Sequence, residues 1–175
     1  MAEFREKDPE KWKDYKLILG NEIYLCSRKE IEEDKDYVFY HFILIAKDKV
    51  GHKQIRELST RAWIDNSFTW VNIRTPTYYD DLFEVVEADR GHLVASTGCL
   101  GGFAPKLILQ AYKENPLQPD YHVVKKWLSR MDQCFGHGNF FLELQPSIQE
   151  EQKIVNQAYI ELSKELDIPY IITTD

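Results

Sequence analysis

Five apolar runs, each closed by turn-forming or charged positions, punctuate the chain at residues 17–25, 37–46, 92–96, 140–144 and 169–173. Their wealth of Ile, Leu, Val, Phe and Tyr predicts strands. The last three are nearly continuous in hydrophobicity, the pattern of parallel strands covered on both faces. Between the runs the apolar period changes to that of a helix. Residues 50–63 place Ile55, Leu58 and Ala62 on one stripe, 104–114 form a second helix, and 121–135 carry Val124, Trp127, Leu128 and Met131. The strongest helical pattern is 147–166, with Ile148, Ile154, Val155, Ala158, Tyr159 and Leu162 at helical spacing, Ser147 as its cap and Glu150 three residues on. Residues 65–89 are irregular, with the turn Arg74-Thr75-Pro76-Thr77 and one short helix near 79–86. Strand alternating with helix predicts a single α/β domain, layered or barrel-like, behind a charged lead-in at 1–15.

Composition narrows the function classes. A 43% hydrophobic content against 29% charged belongs to a globular chain with a real core and excludes disorder. The formal charge of −7 opposes a phosphate backbone, so unaided grip on DNA is not expected. No segment approaches the roughly 20 apolar residues that cross a bilayer. The opening Met-Ala-Glu-Phe-Arg-Glu-Lys lacks the apolar centre of a secretion signal, so the expected location is cytoplasmic. Cys26, Cys99 and Cys134 are odd in number and show no CxxC spacing, which argues for reduced thiols and against a zinc ribbon.

Candidate chemistry gathers at predicted strand ends, where α/β folds place their sites. Ser96-Thr97-Gly98-Cys99-Leu100-Gly101-Gly102 delivers a thiol into a turn whose glycines permit positive φ and close backbone approach. Gly20-Asn21-Glu22 comes after residues 17–19, the Phe140 strand carries Glu143 and Gln145, and the last strand closes on Thr173-Thr174-Asp175. His41 lies in a strand expected to return antiparallel from the Glu22 segment. Glu, His, Cys and Asp are the residues that ligate zinc or manganese. Plainer roles stand beside each: a solvated edge for Glu22, a half-buried ring for His41, a structural ion pair for Glu143, a frayed end for Asp175, a simple turn for Cys99. His52, His92, His122 and His137 have no metal-ligand spacing and are assigned no role.

Four ordered stretches resemble the PHP (polymerase and histidinol phosphatase) domain of bacterial DNA polymerase III alpha subunits. They are Ile18-Leu19-Gly20-Asn21-Glu22-Ile23-Tyr24-Leu25, His41-Phe42-Ile43-Leu44-Ile45-Ala46-Lys47, the cysteine turn, and Phe141-Leu142-Glu143-Leu144-Gln145 running on to Ile168-Pro169-Tyr170-Ile171-Ile172-Thr173-Thr174-Asp175. The resemblance implies a partial distorted (β/α) barrel and a metal cluster of up to three ions and nine ligands, with 3′–5′ proofreading exonuclease activity in some members. It implies Glu22, His41, Cys99 and Asp175 as metal ligands, with zinc or manganese as the cation. The family's opening His-x-His and Asp-His elements and its closing histidine have no counterpart here, so about five ligands are missing. The expectation is a fragment of a DNA replication polymerase, inactive alone, with weak metal affinity and no catalytic residue of its own. Its expected partners are the remaining parts of the polymerase or a complementary fragment, with DNA reached only through the parent and no membrane contact. The alternatives are a free-standing metal-dependent phosphoesterase of the same superfamily and a binding module without chemistry.

Overall fold

The structure, a computed structural model, describes residues 6–13, 16–29, 39–69 and 73–174. Its main element is an open sheet. β1 (Gly20–Cys26) pairs antiparallel with β2 (Tyr40–Ala46), and β2 pairs antiparallel with β6 (Leu93–Ser96). β6, β7 (Phe140–Leu144) and β8 (Tyr170–Ile172) then run parallel. The two-residue β5 (Thr77–Tyr78) adds in parallel to β1 at the other edge, giving the order β5-β1-β2-β6-β7-β8. A separate two-residue pair, β3 (Phe68–Thr69) and β4 (Ile73–Arg74), lies in the connection from 65 to 78. Among the described residues β5 and β8 stay at opposite edges, so the sheet is mixed α/β without barrel closure.

The strands prefer one face to the other. Side chains alternate along a strand, and Phe42, Leu44, Ile23, Leu25, Leu93, Ala95, Phe140 and Leu142 all turn to a core shared with the helices. That core is built by α1 (Lys49–Thr60), α2 (Tyr79–Ala88), α3 (Phe103–Glu114), α4 (His122–Phe135) and α5 (Glu150–Leu166). Its centre is aromatic: Phe42 stacks on Phe135 and Phe140 at 5.9 and 6.1 Å and meets the edge of Trp127.

The opposite face is only partly covered by the described residues, which corrects the expectation of strands sheltered fully on both sides. Ile43, Val94, Phe141 and Ile171 remain partly exposed and outside the core. Their hydrophobicity makes the runs look continuous, yet the same face also carries the polar Ser96 and Glu143.

Element boundaries moved for identifiable reasons. β1 starts at Gly20, so Glu22 sits inside a strand rather than after one. Positions 37 and 38 of the second run lie outside the described residues, as do residues 1–5 and 14–15 of the lead-in. α1 gives way at Arg61 to a π-helical turn through Asp65, where Arg61 is held by Glu57, Asp81 and Glu84. Ser147 does not cap α5: its hydroxyl accepts from the Gln149 N–H at 3.1 Å, and Gln149 is the residue that precedes the first turn. The short helix predicted near 79–86 is α2, two residues longer.

Candidate functional site

Antiparallel register fixes which side chains share the face turned away from the main core. Glu22 lies opposite Ile43, Tyr24 opposite His41, and Ile43 opposite Ser96. Glu22, His41 and Ser96 therefore point the same way, and Glu143 joins them because Ser96 pairs with Phe141 and side chains recur every second residue on β7. Of these, Glu22, His41 and Glu143 line a cleft of about 330 Å³ at the strand ends with Ile43, Cys99, Gln145 and Thr174, and Ser96 lies buried behind Glu143.

The cysteine turn is fitted onto His41. Gly98 takes φ +69°, and a Cβ there would stand 3.0 Å from the His41 carbonyl oxygen. A Cβ on Gly101 would come within 3.2 Å of the His41 ring, and the His41 N–H donates to the Gly101 carbonyl at 3.1 Å. Of the turn's glycines only Gly98 uses positive φ; Gly101 is there for proximity. Thus the chain folds back so closely that Cys99 Sγ lies 3.4 Å from His41 Nδ1, with the Gly101 N–H also 3.4 Å from the sulfur.

Glu22 Oε1 reaches the same nitrogen at 2.7 Å. This detail separates two chemistries. A nucleophile–base relay needs the orienting carboxylate on one ring nitrogen and the thiol on the other. Here both converge on Nδ1, so the relay is not formed. Convergence on one point suits a ligand set, and the donor types are those of zinc, although among the described residues no three His, Cys, Asp or Glu side chains adopt the disposition of a finished metal centre. The ring itself is steadied by Tyr24, in edge contact at 5.5 Å, which also lines a neighbouring cleft of about 260 Å³ with Phe39, His41, Ile73, Arg74 and Thr75.

Three of the four residues read as ligands thus come together: Glu22, His41 and Cys99. Asp175 lies outside the described residues. Glu22 is half exposed on a stretch of β1 that β5 does not reach, so it is a solvated edge residue that also pairs with His41.

The structural ion pair considered for Glu143 is not formed. Glu143 is 7% exposed and, among the described residues, meets no cation. Instead Ser96 donates to its Oε2 at 2.5 Å, and Thr173 and Gln145 donate to Oε1 at 2.6 and 3.1 Å. Ser96, Thr97 and Thr173 stand in the candidate stretches without a role of their own, because small hydroxyls carry no signal outside a fold. Gln145 was visible, two positions from Glu143 and hence on its face.

The other thiols differ in kind. None of the three cysteines is in a disulfide, but Cys26 and Cys134 are buried. Desolvation pushes the Cys134 thiol up to about 12, which leaves it an inert packing group. His92, assigned no role above, pairs with Asp48 at 2.7 Å and with Asp89 at 3.3 Å.

A family model described as a PHP domain matches residues 2–147. A DNA-directed DNA polymerase of Bacillus phage SPbeta is 35% identical over 93% of this chain, which covers 13% of that protein. The DNA polymerase III subunits alpha of Aquifex aeolicus (strain VF5) and Treponema pallidum (strain Nichols) are 30% and 28% identical over 91% of the chain, again 13% of their own length. The chain therefore spans about an eighth of the curated relatives it matches. No helix among the described residues is long and apolar enough to cross a membrane.

Proposed function

The chain belongs to the PHP domain family, and from that membership we propose that it serves as the metal-binding PHP module of a replicative DNA polymerase, holding zinc or manganese through Glu22, His41, Cys99 and Asp175. The observation that carries the reading is the meeting of Cys99 Sγ and Glu22 Oε1 on His41 Nδ1. A thiolate donor favours zinc or a similar borderline ion over magnesium. Such a cation, when bound, supplies acidification of a water and neutralisation of phosphoryl charge, the requirements of 3′–5′ phosphodiester hydrolysis.

The chain's own residues provide the rest. β1 and β2 hold Glu22 against His41, the Gly98–Gly102 turn presents the thiol, and Ile43 gives the cleft an apolar floor. The five histidines include no His-x-His pair, so these donors bind one ion weakly and hydrolysis depends on further ligands. The remaining parts of a polymerase are the natural partners, and DNA is met through them.

The test is uptake of Co²⁺, a probe for zinc sites, by the 175-residue chain. Binding with a thiolate-to-metal absorption band, abolished in Cys99→Ala while the folded state persists by circular dichroism, is the expected result. Absence of the band in the parent chain, or its survival in Cys99→Ala, sinks the reading.

A further inference from the structure

We infer that Glu143 is the positioning residue of this cleft, a clamp that holds the end of β8 and the Cys99 turn at a fixed separation. The inference deepens the metal reading above but stands on separate contacts. Glu143 belongs to β7, between the two strands it joins. On one side Ser96 donates to its carboxylate, while its backbone N–H donates to Thr97 Oγ1 at 3.0 Å. Ser96 and Thr97 lead directly into Gly98-Cys99. On the other side Thr173 donates to Oε1 at 2.6 Å, one residue before Thr174 of the cleft wall and two before the expected ligand Asp175.

A buried carboxylate without a cation is costly, so its presence calls for an explanation. Hydrophobic packing would serve the sheet equally well, as Leu142 and Leu144 show on the other face. What an apolar residue cannot do is accept hydrogen bonds from two neighbouring strands at once. Gln145 completes the clamp by donating to Oε1, and its own backbone is stapled to Asn156 of α5 at 2.8 and 3.3 Å. Partners behind a ligand shell typically set how well that shell is oriented.

The experiment uses the full chain with Glu143→Gln, which keeps the shape, and Thr173→Val and Ser96→Ala, which each remove one donor. Hydrogen exchange is followed at the Thr97 and Thr173 amides, bonded to the Phe141 and Leu144 carbonyls, together with Cys99 alkylation and Co²⁺ titration. In Glu143→Gln both amides are expected to exchange at least about tenfold faster, with Leu142 unchanged. Cys99 alkylation is expected to quicken, and Co²⁺ affinity to fall about 10- to 100-fold with an altered thiolate band. Thr173→Val should release the β8 end alone, and Ser96→Ala the Cys99 turn. Unchanged exchange and alkylation in Glu143→Gln overturn the clamp. Should Glu143→Gln not fold, the single-donor variants decide, and local release confined to the matching strand end supports the clamp, whereas none at either end overturns it. If the parent chain takes up no Co²⁺ the metal reading fails, and the exchange and alkylation results still judge the clamp.

Discussion

Two histidine–carboxylate pairs sit at opposite ends of the same two strands. At one end of β2 and β6, His41 meets Glu22 beside the Cys99 turn; at the other, His92 meets Asp48. Both contacts measure 2.7 Å, and the rings are comparably exposed, 36% and 28%. Distance and burial therefore do not distinguish them. Their other partners do. Asp48 already caps α1, accepting from the Val50 and Gly51 N–H groups at 2.9 and 3.0 Å, and His92 uses its second nitrogen on Asp89. Every polar atom of that knot is spent on the backbone or a neighbour, as in a structural lock. At the His41 end one nitrogen is shared by a thiol and a carboxylate over an open cleft, and among the described residues no second side-chain bond ties Glu22 to the fold.

The largest effect is expected from the strand that joins the two ends. Phe42→Ala takes out a ring 1% exposed at the centre of the aromatic stack. A loss of about 3–5 kcal/mol in urea unfolding is expected, with both ends loosened together. A loss below about 1 kcal/mol would mean that β2 is not the common support of the two pairs.

Gly51→Ala strikes the lock alone. A Cβ there would lie 2.0 Å from the His92 carbonyl oxygen, backbone that cannot retreat without shifting α1 from β6. Overpacking of this kind costs about 1–3 kcal/mol. Cys99 alkylation in the folded state should be unaltered, and a change in it would show that the two ends are coupled.

How much of this could be read beforehand follows the same division. The strands, the helices and the meeting of Glu22, His41 and Cys99 were legible because amphipathic period and an ordered set of motifs survive in sequence. The two-residue strands β3, β4 and β5 were not, since alternation has no meaning over two positions. Nor was the His92 lock, because Asp48 and His92 are 44 residues apart and carry no spacing that announces a pair. Glu143 was seen but misjudged: an apolar context suggested an ion pair, whereas hydroxyls from two adjoining strands satisfy it.

A smaller effect comes from pH, and it belongs to the lock. The hydrogen bond with Asp48 raises His92 above its ordinary 6.5, and the bond with His92, followed by the Gly51 N–H, lowers Asp48 below 3.8. A raised histidine contributes stability that is complete below its unfolded value and lost as pH climbs through the folded one. A lowered aspartate contributes above its unfolded value and loses it as pH falls. Both are complete between 3.8 and 6.5. The melting temperature should therefore decline modestly from about pH 6 to about pH 8, and His92→Asn should remove that decline. An identical slope in the variant would assign the titration elsewhere.

The smallest change in stability is expected from Glu22→Gln. Its side chain is half exposed, and an exposed pair contributes about 0–1 kcal/mol after solvent screening and side-chain entropy are counted. Asp48→Asn, at the same contact distance, should lower the melting temperature more, because it removes a negative charge that faces a helix N-terminus as well as an ion pair. For metal the order reverses: Co²⁺ uptake should weaken in Glu22→Gln and stay unchanged in Asp48→Asn, since only the former carboxylate shares a nitrogen with a thiol. Paired melts and titrations of the two variants read this crossing directly. Equal destabilisation with equal metal uptake would reduce both pairs to one kind of lock and leave the cleft without a chemistry of its own.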